Sequence, residues 1–406
     1  MTVSKTLLLL GGSRQQVVAI ERATELGYRT VVCDYLPDNP GQNYADVFYP
    51  VSTTDCDAVL EIAKKEKIDG ILAYSSDPAS PVAGYVAEKM GLPTNPLSSI
   101  QIMSEKHLFR RFLYDSGLPC PKMVDFTKND SLTEVGKRLA SLRYPIVVKP
   151  TDASGSKGVS ILEEGDCLAS AISYASEYSR NGVLIAEEFI ERSYPNVIGG
   201  DIFVVEGEVR FWGLMECLRD EELGGLVPVG EYLPPRLTSI DLSAVKGVLQ
   251  KLVSLLDIQF GELNVEVIIG KGGVPYVIEL GSRAGGNMIP VQLSDASGID
   301  LIAANILCAL GENPGDLFWD SSISNFCGAT YVLHSNVDGI LRGISKSNRI
   351  ERSLYREVLY KSLGDKVSKF DGANKAIGIE FMRFNTPGEM HELLTRVSKE
   401  IMPIVE

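Results

Sequence analysis

Two glutamates, Glu266 and Glu279, stand in FGELNVEVIIGKGGVPYVIELGSRAGGN, residues 260–287. Two β-rich runs flank Lys271-Gly272-Gly273-Val274, which is hairpin chemistry. A turn symmetric about Gly272 and Gly273 sets Glu266 opposite Glu279, with Cβ atoms roughly 5 Å apart on one face. Like charges so placed repel. A divalent cation relieves the repulsion, and two carboxylates with water and substrate phosphates are a usual ligand set for Mg²⁺. A solvent-facing pair on the outer side of the ribbon fits the pattern as well. The same register sets Asn264 against Gly281 and Glu262 against Arg283, so that acid, amide and guanidinium line one strip as in a phosphate-and-metal clamp. An odd-length turn would move this pairing by one residue.

A second stretch, YPIVVKPTDASGSKGVSIL at residues 144–162, is a strand ending in Lys149, a small-residue loop and another strand. Gly155 and Gly158 allow conformations a side chain forbids, so backbone N–H groups can close over phosphate oxygens. The loop lacks the Walker pattern, since no Gly-Lys-Ser/Thr follows and a strand comes next. An ordinary hairpin turn is the alternative. Lys149, at the end of an apolar strand, needs an anionic partner if it is buried.

The elements that must hold these groups alternate in residues 6–95: KTLLLLG, VVAIERATELGY, TVVCDY, a helix around Ala58 to Lys67, DGILAY and VAGYVAEKMG. This is the rhythm of a parallel sheet with crossover helices. Gly11, Gly12 and Asp34 raise a dinucleotide reading, although GGSRQQ lacks the third glycine, and a tight strand-to-helix turn explains the pair equally. Leu92-Pro93-Thr94-Asn95-Pro96 reads as a linker. A helical stretch follows from about Ser98 to Ser116. Beyond Pro121 the chain is strand-rich, and the tail from about Pro314 offers TYVLH, a helix near Ser353 to Ser362, AIGIEFMRF and a final helix near Gly388 to Ile401. Glu216, Arg219 and Glu231 lie in a connecting segment, residues 216–236, that either faces a second substrate or is a solvated loop.

Composition removes other chemistries. Thirty-nine Lys and Arg against 53 Asp and Glu give a net charge of −14, a surface that repels nucleic acid. The three histidines, His107, His334 and His391, are too dispersed for a His-ligated zinc site or a Ser-His-Asp triad. Seven scattered cysteines without a C-x-x-C pair suggest reduced thiols and a cytoplasmic protein. The leading apolar run is shorter than a secretory core, and no membrane partner is expected.

Taken together, Lys106 in SEKHLFRRFL, Lys149 in VVKP, the loop SGSKGV, AEEFIE at 186–191, Glu266, and Glu279 with Arg283 in ELGSRAGGN resemble the ATP-grasp enzymes. The likeness is to the carboxylate-amine ligase branch, similar to carbamoyl phosphate synthetase large-chain ATP domains, biotin carboxylases and L-amino-acid ligases. It implies an α/β plus α+β chain: a Rossmann-like pre-ATP-grasp domain over 1–95, an ATP-grasp core over 96–313 with a lid subdomain at about 120–190, and a substrate-side lobe over 314–406. It further implies that Lys106 and Lys149 contact nucleotide phosphates, with Ser154, Gly155, Ser156, Gly158 and Val159 lidding them. Glu187, Glu188, Phe189 and Ile190 would form the adenine hinge. Glu266 and Glu279 would hold Mg²⁺, with Mn²⁺ as a substitute, and Arg283, with Lys149, would serve the transferred phosphoryl group. The family commonly has Asn two positions after the second metal glutamate. Gly281 stands there, so Asn264 is expected to supply the amide, and an acid beside the ribose is lacking. The implied reaction uses ATP to make an acyl phosphate from a small-molecule carboxylate and lets an amine displace phosphate, with a homodimer as the default assembly. The competing readings are a non-catalytic ATP-binding regulatory module and a nicotinamide-dependent oxidoreductase.

Overall fold

The computed structural model describes residues 4–220, 227–318 and 326–406. The first unit is a parallel sheet of β1 (Thr6–Leu10), β2 (Arg29–Cys33), β3 (Val47–Tyr49) and β4 (Gly70–Leu72), in the order β3-β2-β1-β4. Every residue of β1 is buried, as an unbroken apolar run on a doubly covered parallel strand should be. Its leucines alternate between two cores. Leu8 and Leu10 pack with Val59, Ile62 and Val82, whereas Leu7 and Leu9 pack with Ala19, Ile20 and, far along the chain, Ile306 and Ala309. The second face is therefore covered by the helix Leu301–Ala309.

The Gly11-Gly12 turn is filled by the chain itself. Asp34 accepts the Gly12 N–H at 2.8 Å, Gln16 crosses to Tyr74 O at 2.9 Å, and a Cβ on Gly41 would lie 2.6 Å from Gly12 Cα. The Gly12 N–H is thus spent within the chain and Gly41 packs on Gly12, which favours the tight strand-to-helix turn over the dinucleotide reading.

The expected helix from Ser98 to Ser116 is two helices, Leu97–Ser104 and Lys106–Asp115, broken where Glu105 is extended. The break lets the Lys106 N–H reach Thr151 O at 2.8 Å and starts the second helix at Lys106. Next comes an antiparallel sheet of β5 (Met123–Thr127), β6 (Ile146–Pro150), β7 (Ser160–Leu162) and β8 (Val183–Glu188), ordered β5-β8-β6-β7. One face of it, with Ile146, Val148, Leu184 and Ala186, packs against the helices Leu132–Leu139 and Leu168–Tyr178. Strand alternation then gives the opposite face to Val147, Lys149, Ile185 and Glu187.

The central sheet is antiparallel and eight-stranded, in the order β13-β12-β9-β10-β11-β14-β18-β16. Its strands are β9 (Ile198–Val205), β10 (Glu208–Arg219), β11 (Pro228–Leu233), β12 (Phe260–Gly270), β13 (Val274–Gly281), β14 (Gly328–Leu333), β16 (Leu354–Leu359) and β18 (Gly378–Arg383). Between them β15 (Gly339–Lys346), β17 (Lys366–Val367) and β19 (Ile401–Val405) form a small separate sheet. The tail thus extends the sheet that carries the hairpin. The helix expected near Ser353 to Ser362 is instead a short helix, Asn348–Ser353, followed by the edge strand β16, because LYREVL can pair with β18 there. The final helix is likewise shorter, Pro387–Leu394 and Val397–Glu400, and the chain closes as β19. Among the described residues no helix is long and apolar enough to cross a membrane.

Candidate active site

The hairpin positions the two acids by a route the symmetric turn did not anticipate. Its turn is odd: Gly270 pairs with Val274 around a single helical turn at Lys271–Gly273, with Gly272 at φ 78°. The register moves back between Val267 and Glu266, where Val267 pairs with Val277 but Glu266 pairs with Glu279. Ile278 is the extra residue of a β-bulge. Val277 and Leu280 both enter the core, and the bulge leaves Ile278 and Glu279 together in the wall of a cleft that also contains Glu266. Asn264 pairs with Gly281 as expected, whereas Glu262 and Arg283 lie beyond the residues that pair. Burial and then the charge of Glu279 push the Glu266 carboxyl upward, as expected of two acids held close together.

Lys106, Lys149 and Arg283 line the cleft with these acids. Lys106 Nζ lies 3.6 Å from Glu279 and donates to Ala153 O at 2.7 Å, which ties it to the glycine-rich loop. Lys149 is 7% exposed and pairs with Glu187. Arg283 is gripped in a two-point fork by Asp77, at 2.7 and 2.8 Å. The loop is held by residues in left-handed conformations, Gly155 at φ 67°, Ser156 at φ 60° and Gly158 at φ 72°. Ser154, Gly155, Ser156 and Val159 line the cleft, whereas Gly158 packs against Pro150 and Ala175 behind it.

At the other end of the cleft, Ile161, Val147, Phe189, Ile190, Val197, Ile268 and Ile278 make an apolar slot. The Glu188 N–H is spent on Lys122 O at 2.9 Å and that of Phe189 on Pro145 O at 2.9 Å, but the Ile190 N–H has no acceptor among the described residues. The slot therefore offers flat apolar walls and one free donor at its edge, which suits a purine ring. Asn264 donates to Gly200 O at 3.0 Å and Asp201 at 2.8 Å, leaving its Oδ1 without a donor among the described residues. Two carboxylates, this amide oxygen and no third acid make a site that fits Mg²⁺ completed by water and phosphate.

Known proteins bear on this arrangement. Residues 112–198 match the family described as D-ala D-ala ligase C-terminus. The chain is 30% identical over 307 residues to the carbamoyl phosphate synthase large chain of Thermotoga petrophila, covering 72% of this chain and 26% of that one. It spans about a quarter of the length of such relatives. Among solved structures, the L-amino acid ligase of Bacillus licheniformis superposes with a TM-score of 0.81 at 20% identity over 100% of both chains. The biotin carboxylase domain dimer of Hydrogenobacter thermophilus 2-oxoglutarate carboxylase, in complex with MgADP, does so at 0.76 and 16%, covering 99% and 91%. The chain has the ATP-grasp fold.

Within this ATP-grasp cleft several residues escaped the sequence reading. Glu187, assigned to the hinge, is a buried counter-ion: it accepts from Lys149 and, at 2.9 Å, from the fully buried Arg110. Burial opposes its charge, yet Arg110 and Lys149 hold it down at about 2. Burial, with the field of Arg110, lowers Lys149. The signal for Arg110 was its position one helical turn after Lys106. Asp77 had no local signal, since its partner lies on the other side of the ATP-grasp sheet in sequence. Burial opposes its charge too, but Arg283 and Lys106 keep it below the usual carboxylate range. Asp201 and Glu262 form a buried acid pair under the cleft, both raised by burial, with Asn264 on Asp201 and Asn305 on Glu262. Of the connecting segment, Arg219 reaches the cleft and Glu231 an adjoining cavity. Glu216 does not; it is enclosed by Tyr194, Asn196, Tyr232 and Arg236. Residues 221–226 of that segment lie outside the described residues.

Proposed function

We propose that the chain is an ATP- and Mg²⁺-dependent carboxylate-amine ligase. The observation that carries this reading is the opposition of Glu266 and Glu279 in a cleft with Lys106, Lys149 and Arg283, beside an apolar slot edged by the free Ile190 N–H. Phosphoryl transfer requires mainly positioning and charge neutralisation. Glu266, Glu279 and Asn264 would hold Mg²⁺, which would neutralise phosphate charge when bound. Lys106 and Lys149 would take phosphate oxygens, and the loop with Ser154, Gly155, Ser156 and Val159 would close over them. Gly158 shapes that loop from behind. Glu188, Phe189 and Ile190 would frame adenine, with Glu187 holding Lys149 in place rather than touching the base. Arg283, held by Asp77, would orient the carboxylate substrate or its phosphorylated form.

The reaction we assign is formation of an acyl phosphate followed by attack of an amine, giving an amide, ADP and phosphate. The segment 1–95 corresponds in this reading to a Rossmann-like pre-ATP-grasp domain, 96–313 to the core with its lid at about 120–190, and 314–406 to the substrate-side lobe. Its free cysteines suit a reducing cytoplasm, and the dimer among the superposed structures makes a homodimer the assembly to test. The test is phosphate release from ATP across paired carboxylates and amines, scored in parallel as hydroxamate with hydroxylamine. Substrate-dependent release supports the reading; nucleotide binding without turnover under every pairing contradicts it and favours a regulatory module.

A further inference from the structure

A second cavity of about 190 Å³ adjoins the nucleotide cleft, and Ser154, Asn264, Glu266 and Arg283 line both. Its far side is made by Ser75 and Asp77 of the parallel-sheet unit, by glycine backbone and by Glu231. Glu231 is 3% exposed and sits on β11 opposite Cys217 of β10. It is fixed by Thr330 Oγ1 at 3.3 Å and by the Asn287 side chain. The neighbouring buried acids are already spent: Asp77 on Arg283, Glu216 on Arg236, and Asp201 on Asn264 and the Gly285 N–H. No Lys, Arg or His side chain is paired with Glu231 among the described residues. A carboxylate withdrawn from water without a cation is costly unless one arrives from outside.

Two cations are candidates. A metal ion has too few ligands at Glu231, because of the other acids lining this cavity Asp77 is paired with Arg283 and Glu266 belongs to the Mg²⁺ site already assigned. An ammonium needs one carboxylate and hydrogen-bonding neighbours, and Glu231 with the Ser75 and Asn287 side chains lining the cavity provides them. Position argues the same way. The acyl carbon must lie where the two cavities meet, beside Glu266 and Arg283, so its attacker approaches from the side away from the nucleotide.

We propose that Glu231 receives the ammonium group of the amine substrate and takes its proton before attack. This deepens the ligase reading and rests on it. One N–H proton moves to the Glu231 carboxylate, and the nitrogen lone pair forms the C–N bond. The C–O bond to phosphate then breaks, its electron pair leaving with phosphate. A second N–H proton passes to the departing phosphate, and Glu231 returns its own to solvent. Burial, with the charges of Asp201 and Glu266, pushes Glu231 up to about 7, against the bonds from Asn287 and Thr330. A base so placed is matched to neutral pH.

The test uses the full chain with Mg²⁺-ATP, each of the twenty L-amino acids as the acid, and either glycinamide or hydroxylamine as the nucleophile. Glycinamide arrives largely as an ammonium, whereas hydroxylamine arrives uncharged and is strongly nucleophilic. In Glu231→Gln the ratio of amide to hydroxamate rate should fall on the order of a hundredfold, with a raised KM for glycinamide and partial recovery in Glu231→Asp. Thr330→Val, which unseats the carboxylate, should move the ratio the same way. A ratio equal to wild type in Glu231→Gln and Thr330→Val overturns the inference. So does a Glu231→Asp no better than Glu231→Gln. Wild-type enzyme that makes no hydroxamate with any acid removes the ligase reading itself, a result distinct from an unchanged ratio.

Discussion

Replacing Glu187 with Gln keeps the volume of the side chain but leaves two buried cations, Lys149 and Arg110, facing each other without a counter-charge. The cost can be worked from the structure. A carboxyl held at about 2 instead of its usual 4.5 is favoured in the folded state by roughly 3 kcal/mol above pH 5. That agrees with the ~3–5 kcal/mol lost when one member of a buried ion pair is removed. Because the folded value is depressed, this stabilisation is present above the unfolded value and is lost as pH falls from about 5 toward 2. Thermal melting and amide exchange in β6 and β8 should show wild type losing stability over that acid window. Glu187→Gln should be less stable by roughly 3 kcal/mol at pH 7 and should lack this part of the acid limb. Adding Arg110→Met should return part of the loss, since Arg110 Nη1 and Nη2 are buried without partners among the described residues. A Glu187→Gln protein with wild-type melting and an unchanged acid limb would refute the reasoning.

Two further outcomes follow from single contacts. Asp77→Asn removes the charge that forks Arg283 and should cost on the order of 3 kcal/mol, seen as faster amide exchange in residues 75–80; unchanged exchange there would show that the fork holds nothing together. Ile190→Pro deletes the free N–H at the slot edge and should weaken ATP binding by about 1 kcal/mol, roughly fivefold, while inorganic triphosphate binds as before. Equal losses for both ligands would move adenine elsewhere.

The sequence carried the pairing of Glu266 with Glu279 because glycines bracketed the turn and the flanking runs alternated. It could not carry the means. The turn is odd, and Ile278 restores the register because Val277 and Leu280 both find core positions, a matter of packing rather than local pattern. Lys149 was legible as a buried cation in search of an acid. Its acid was also in reach, since period-two alternation along VVK and IAEE puts Lys149 and Glu187 on one face. Reading AEEFIE as a hinge alone hid it. Asp77 and Asp201 were not recoverable as site residues, because each meets its partners from a strand or loop distant in sequence and looks locally like an ordinary turn or strand acid; Glu231 was legible only as one of three residues of a segment that faces either a second substrate or solvent. In the tail, LYREVL read as helix because its pairing partner, β18, was unknown.

The most direct measurement is titration calorimetry of ATP with and without Mg²⁺, on wild type, Glu266→Gln and Glu279→Gln. Tight binding that requires Mg²⁺ in wild type, with the Mg²⁺ requirement abolished and affinity reduced in both variants, is the predicted result. Mg²⁺-ATP binding equally well to all three would contradict a shared metal between these two acids.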